Sequence, residues 1–172
     1  TVKLNLTGSK FTPLLGRPVG ESYMTHPATV MALTAALFAA GARRVRYVES
    51  STLPQPLEKT LVEAGFDWRA LQAMGKVEAE CTRNLGHAKS YAAFKVRTGG
   101  HLFDSFELNH SYADCDVFVS LCKLKTHITT GITLTMKNLF GITPNALYGD
   151  EAPSERGLKG RGRLHNLKGW EG

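Results

Sequence analysis

A strand, a long apolar helix and a second strand follow one another in the first fifty residues, and this spacing constrains the fold more than any other feature. VKLNL at 2–6 reads as a strand, and THPATVMALTAALFAAG at 25–41 as a helix. Thr25 or His26 suits the N-cap, Pro27 the first turn and Gly41 the position just past the end. RRVRYVES at 43–50 reads as the second strand. That spacing predicts a right-handed βαβ crossover with a parallel pair. Small or apolar side chains occupy nearly the whole helix circumference, which predicts burial against a sheet.

The remaining segments extend the pattern. PLEKTLVEAGF at 56–66 is an amphipathic helix and WRALQAMG at 68–75 a further turn or two. KVEAE, YAAFKVRT and FDSFEL alternate as strands do, and are expected to form an antiparallel excursion. DVFVSLCKL at 116–124 carries the near-continuous apolar run of a strand covered on both faces. A helix is expected from Thr129 or Thr130 to Gly141, burying Ile132, Met136, Leu139 and Phe140 and turning Thr130, Thr133, Lys137 and Asn138 the other way. From Asn145 to the end, through GLKGRGRLHN, the chain reads as an irregular, flexible loop. The fold class is therefore α/β: a largely parallel sheet flanked by helices, Rossmann-like, in one domain over 1–172.

Composition excludes several classes. With 42% hydrophobic and 21% charged residues in 172, the chain has the balance of one globular domain. The longest nearly apolar run, 28–41, falls short of the roughly 20 residues of a membrane-spanning helix. TVKLNLTG at the start reads as a strand entering a turn and not as a signal peptide. The compartment stays open between cytoplasm and export after removal of a signal. Cys81, Cys115 and Cys122 form no CxxC pair, so neither a disulfide framework nor a metal or cluster spacing is visible. No cofactor is named by the sequence.

The formal net charge is +6, and its distribution says more than its total. From Val117 to Gly149 there are three lysines and no acid. These lie in CKLKTHITTGITLTMKNLFG, 122–141, where Lys123, Lys125, Thr126 and His127 follow the expected strand and Thr129 and Thr130 open the expected helix. Open α/β sheets bind ligands beyond the carboxyl ends of their strands, and a helix N-terminus adds unpaired N–H groups. A small anion, whether phosphate, nucleotide or carboxylate, is the ligand this arrangement suits, with Lys125 and the helix start holding it and Lys123 or Lys137 adding charge. Asn5, Thr7 and Gly8 follow the first strand, and Glu49, Ser50 and Ser51 the second, so three loops would line one rim.

His127 beside Lys125 and Glu49 across the rim are the acid/base candidates, and His26 and His165 are the other histidines of interest. GxGxxG and GxxxxGK[ST] are both missing, which argues against a dinucleotide dehydrogenase or a P-loop enzyme. The basic residues lack interleaved aromatics and any helix-turn-helix, RNA-recognition or finger signature, so charge alone does not support a nucleic-acid partner. The competing reading is a non-catalytic module whose basic face docks an acidic protein.

KLNL at 3–6, THPATVMALTAALFAAGARRVRYVES at 25–50 and ADCDVFVSLCKLKTHITTGITLTMKNLFGITP at 113–144 resemble the DUF362 family, with KLKTH followed by GxTLxxKNLFG the most specific match. The resemblance covers somewhat over half of the chain and implies an α/β fold. Some members carry a ferredoxin-like module with two iron–sulfur clusters, which implies an iron–sulfur protein as one partner for a docking module; no cluster motif stands in this chain. The family's motif residues map to Lys3, Asn5, Glu49, Ser50, Lys123, Lys125, Thr126, His127, Gly131, Lys137 and Asn138. Family chains usually run well past the position of His165, and those with a KLN-type start are often exported by a twin-arginine signal.

Overall fold

The computed structural model describes residues 1–7, 10–100 and 103–162. Strand β1 (Val2–Lys3) leads through a loop and a single turn, α1 (Val19–Ser22), into helix α2 (Pro27–Ala39). The His26 ring accepts the Ala28 N–H at 3.1 Å as the cap, and Gly41, at φ +93°, ends the helix in the left-handed conformation that glycine adopts without strain. β2 (Val45–Glu49), α3 (Leu57–Glu63), α4 (Trp68–Ala73) and β3 (Val77–Cys81) follow. A hairpin of β4 (Ala92–Lys95) and β5 (Ser105–Leu108) comes next, then β6 (Val119–Ser120). A second hairpin, β7 (Lys125–His127) and β8 (Gly131–Thr133), precedes two short helices, α5 (Thr135–Leu139) and α6 (Asn145–Tyr148).

β1, β2, β3 and β6 form one parallel sheet in the order β3-β2-β1-β6. Alternation along β2 divides its side chains between two cores. Val45 and Tyr47 join Val2, Val30, Leu57, Leu61, Leu71 and Val77 under helices α2 to α4. Val48 joins Leu108 and Tyr112 on the opposite face, under the β4–β5 hairpin. Each leucine taken fully out of water here contributes about 2 kcal/mol, which supplies the driving force for closing the sheet between two layers.

Several expectations are corrected. KVEAE forms β3, a parallel neighbour of β2 and not part of the antiparallel excursion, which consists of β4 and β5 alone. α2 is half-solvated: only Val30 and Thr34 are buried, and Ala28, Ala32, Ala35, Ala36 and Ala39 face outward, where their small side chains expose little apolar surface. The expected two-faced strand at 116–124 contracts to β6 at the sheet edge, with Val117 and Phe118 exposed. The expected helix from Thr129 or Thr130 starts only at Thr135, and a hairpin stands where its first turns were expected. Ile128, Thr129, Thr130, Ile132, Thr133 and Thr135 are β-branched, which favours strands, and Gly131 at φ +73° makes the turn. Met136, expected in the core, is 87% exposed, and Ile132 is exposed too.

The segment from Asn145, read as a flexible loop, begins with helix α6 and is tied down. Asn145 N–H donates to the Arg83 carbonyl at 2.8 Å, its Nδ2 to the Lys159 carbonyl at 2.5 Å, and Ala146 N–H to Asn84 Oδ1 at 2.8 Å. Gly8, His165 and the end of GLKGRGRLHN lie outside the described residues.

Candidate functional site

The strand order reverses at β1: the chain runs outward through β2 and β3, then returns to β6 on the other side. Such a switch point opens a crevice at the carboxyl ends of the strands on either side of it. Thr25 marks the place, since Asn5 N–H donates to its Oγ1 at 2.9 Å and that hydroxyl donates to the Leu121 carbonyl at 3.1 Å.

Beneath the crevice sits a buried ion pair. Lys3 Nζ lies 2.5 Å from Glu49 Oε1 and donates also to the Leu4 carbonyl at 2.7 Å; the two residues are 2% and 4% exposed. Glu49 further accepts the N–H groups of Leu6 at 2.7 Å and Ser50 at 2.8 Å. A carboxylate with three such donors is held in one orientation. Gly141 is required alongside it, because a Cβ there would lie 3.1 Å from Lys3 Nζ.

Asn5 and Asn138 meet across the switch point. Asn138 Nδ2 donates to Ser120 Oγ at 3.0 Å and to the Lys3 carbonyl at 3.5 Å, which fixes its amide so that Oδ1 accepts Asn5 Nδ2 at 3.1 Å. Asn5 Oδ1 is thereby buried without a partner among the described residues.

The remaining sequence candidates surround this floor. Lys125 Nζ donates to Thr7 Oγ1 and to the Tyr23 carbonyl, both at 2.6 Å. Burial, together with the positive charges of Lys137 and Lys123, pushes its pKa down to about 8 against the opposing pull of Glu49. Lys123 Nζ donates to the carbonyls of Gly20 at 2.6 Å and Glu21 at 3.2 Å, fastening the α1 turn. Lys137 rises over the Phe140 ring at 4.6 Å, and burial, then Arg161 and Lys3, lower its pKa.

His127 shapes the hairpin: its Nδ1 accepts Thr129 N–H at 3.1 Å and Thr130 N–H at 3.3 Å. Thr126, Thr129 and Thr130 are exposed along the hairpin, and Thr130 Oγ1 donates to the Ile132 carbonyl at 3.1 Å. The helix N-terminus expected at Thr129 and Thr130 is absent from that position, since the hairpin occupies it.

Arg161 is the functional candidate that sequence reasoning missed. Its side chain is buried, donates to Ser50 Oγ at 2.8 Å and to the Thr143 carbonyl through Nε at 2.6 Å and through Nη2. Burial pushes it down to about 10, still charged at neutral pH. A basic run in a Gly-rich segment reads as a solvated loop; the buried amide of Asn145, which catches the Lys159 carbonyl, turns that run inward.

The family described as "Domain of unknown function (DUF362)" matches residues 1–167. The chain belongs to this family. No curated protein and no solved structure matches it. In this DUF362 chain Lys3, Asn5, Glu49 and Asn138 meet at the switch point, while Thr126, His127 and Gly131 lie in the β7–β8 hairpin. A cavity of about 640 Å³ lies at the opposite ends of the strands, lined by residues such as Arg43, Arg44, Lys76 and Asp114, and its lining includes none of the residues matched to the family motifs. Among the described residues no group of three or more His, Cys, Asp or Glu side chains is placed to hold a metal ion, and no helix is long and apolar enough to cross a membrane.

Proposed function

We propose that this DUF362 chain binds a small anion at the carboxyl ends of β1, β2 and β6, as part of an enzyme. The observation that carries the reading is a cluster of cations: Lys3, Lys125 and Arg161 each interact with Glu49, and Lys137 interacts with Arg161, Lys3 and Lys125. Their mutual effect is repulsive: Lys137 is depressed by Arg161 and Lys3, and Lys125 by Lys137 and Lys123. A fold that spends free energy on gathering like charges in a partly desolvated crevice gains it back from a ligand of opposite sign.

Lys125, Lys137 and Arg161 hold the anion in this reading, and Ser50 orients Arg161. Lys3 and Glu49 form the rigid floor, Asn138 fixes Asn5, and the Asn5 Oδ1 acceptor suits a hydroxyl or protonated group of the ligand. Lys123, Thr126, His127, Thr129 and Thr130 shape the hairpin that carries Lys125 to the crevice. A thermal-shift screen of phosphate, nucleotides and carboxylates tests the reading: stabilisation by one class in the intact chain, lost in Arg161→Gln, supports it. No stabilisation by any of them removes it.

A second reading draws on the hairpin surface. Leu124, Ile128, Ile132, Leu134 and Met136 are all exposed next to the basic crevice, an apolar patch of the kind that meets another protein. This reading is a non-catalytic or electron-transfer module docking an acidic or iron–sulfur protein, and it predicts association that weakens with salt.

A further inference from the structure

We infer that Lys125 is an amine nucleophile that forms an imine with a small carbonyl compound carrying a carboxylate or phosphate. The inference rests on the anion-site reading, which supplies the group that steers such a compound to the lysine.

The geometry separates Lys125 from the other lysines of the crevice. Lys3 Nζ is taken up by Glu49 at 2.5 Å and by the Leu4 carbonyl at 2.7 Å. Lys125 has no carboxylate oxygen within 4.0 Å among the described residues. Its Nζ is instead clamped by two neutral acceptors, Thr7 Oγ1 and the Tyr23 carbonyl, and Thr7 Oγ1 itself donates to that carbonyl at 3.4 Å. A neutral amine has two N–H donors and one lone pair. Two acceptors at 2.6 Å take both donors and leave the lone pair as the remaining vertex of the nitrogen. The clamp ties β7 to the first-strand loop through the Thr7 hydroxyl and to the residue after α1 through the Tyr23 carbonyl, so the amine is fixed from two other parts of the chain. Burial, with the neighbouring cations Lys137 and Lys123 and against the opposing pull of Glu49, lowers the cost of losing the proton, as in a lysine activated for attack on a carbonyl.

The step balances without an oxidant or reductant. Nζ attacks the carbonyl carbon, a C–N bond forms and the π electron pair moves to oxygen, which takes up a proton. The carbinolamine, whose hydroxyl now carries one of the two amine protons, then breaks its C–O bond; the hydroxyl leaves with the second amine proton as water, and a C=N bond remains.

The test uses pyridoxal 5′-phosphate, an aldehyde with a phosphate, and pyridoxal, which lacks it, each followed by borohydride reduction and peptide mass mapping of the intact chain. Exposed Lys10, Lys59, Lys76, Lys89 and Lys95 serve as internal standards. At about pH 7.5, Lys125 should be labelled by the phosphate-bearing probe at least about tenfold faster than these lysines, because its unprotonated fraction is larger. Inorganic phosphate should slow the labelling, and pyridoxal should lose much of the advantage.

Labelling of Lys125 at the rate of the exposed lysines, in a chain that calorimetry shows to bind phosphate, overturns the nucleophile and leaves the anion site standing. Preferential labelling of Lys125 equally by both probes, with no protection by phosphate, supports the nucleophile and removes the anion site. Thr7→Val, which deletes one acceptor of the clamp at a loop position, should slow the labelling several-fold; an unchanged rate in the folded variant removes the positioning argument.

Discussion

Glu49 Oε1 stands 2.5 Å from Lys3 Nζ with both side chains almost wholly buried, so the two charges exist in this fold only as a pair. Removing one partner leaves the other desolvated and uncompensated. Glu49→Ala is expected to cost about 3–5 kcal/mol of stability in urea unfolding. Lys3→Met combined with Glu49→Leu should recover most of that loss. A cost below about 1 kcal/mol for Glu49→Ala would mean that the pair contributes little to the fold.

Gly141 offers a test of the same contact from outside. A methyl group there meets the Lys3 ammonium at 3.1 Å and the Cε at 3.2 Å, so in Gly141→Ala the lysine end must give by a few tenths of an ångström. The expected loss is about 1–3 kcal/mol, with weaker ligand binding, measured by thermal unfolding and calorimetry. Gly160→Ala, where a Cβ meets nothing within 4 Å, is the matched control and should be near neutral.

The strand–helix–strand opening, the parallel pairing and the switch from helices to a hairpin in the middle were legible because apolar periodicity and glycine placement are local signals. Lys123, Lys125 and Lys137 stand out in the sequence as cations in an acid-free stretch. The 129–134 stretch was misread because its apolar offsets fit a helix while its β-branched content fits strands, and pairing across the 128–130 turn decided between them; the expected helix survives only over Thr135–Leu139. Arg161 and Asn145 were not legible, since their partners, Ser50 and the Lys159 and Arg83 carbonyls, are matched through tertiary packing that no window of sequence contains.

Lys125 gives the chain a distinctive pH response. Its folded pKa is depressed from 10.5 to about 8, so between those values the unfolded chain binds the extra proton. Stability contributed by this group therefore rises with pH from about 8 to 10.5, opposite to the trend of a lysine in an ion pair. Lys125→Met should flatten that rise in denaturation curves taken from neutral pH upward. Affinity for phosphate should move the other way, falling as pH passes 8, because the lysine loses its charge.

His127 accepts two N–H groups through one ring nitrogen and so holds the β7–β8 turn. His127→Ala is expected to cost about 0.5–1.5 kcal/mol and to act locally. Amide exchange should accelerate at Thr129 and Thr130 while β1 to β3 keep their protection. Loss of protection throughout the sheet would give His127 a larger structural role than its contacts indicate.

The most direct test of the central claim is calorimetric titration of phosphate into the intact chain and into Lys137→Gln and Arg161→Gln, each first shown to be folded by circular dichroism. The account predicts saturable binding by the parent at one site and a loss of about tenfold or more in each variant, the effect of deleting one charge-assisted contact. Equal affinity in all three proteins, or no binding by any of them, would contradict it.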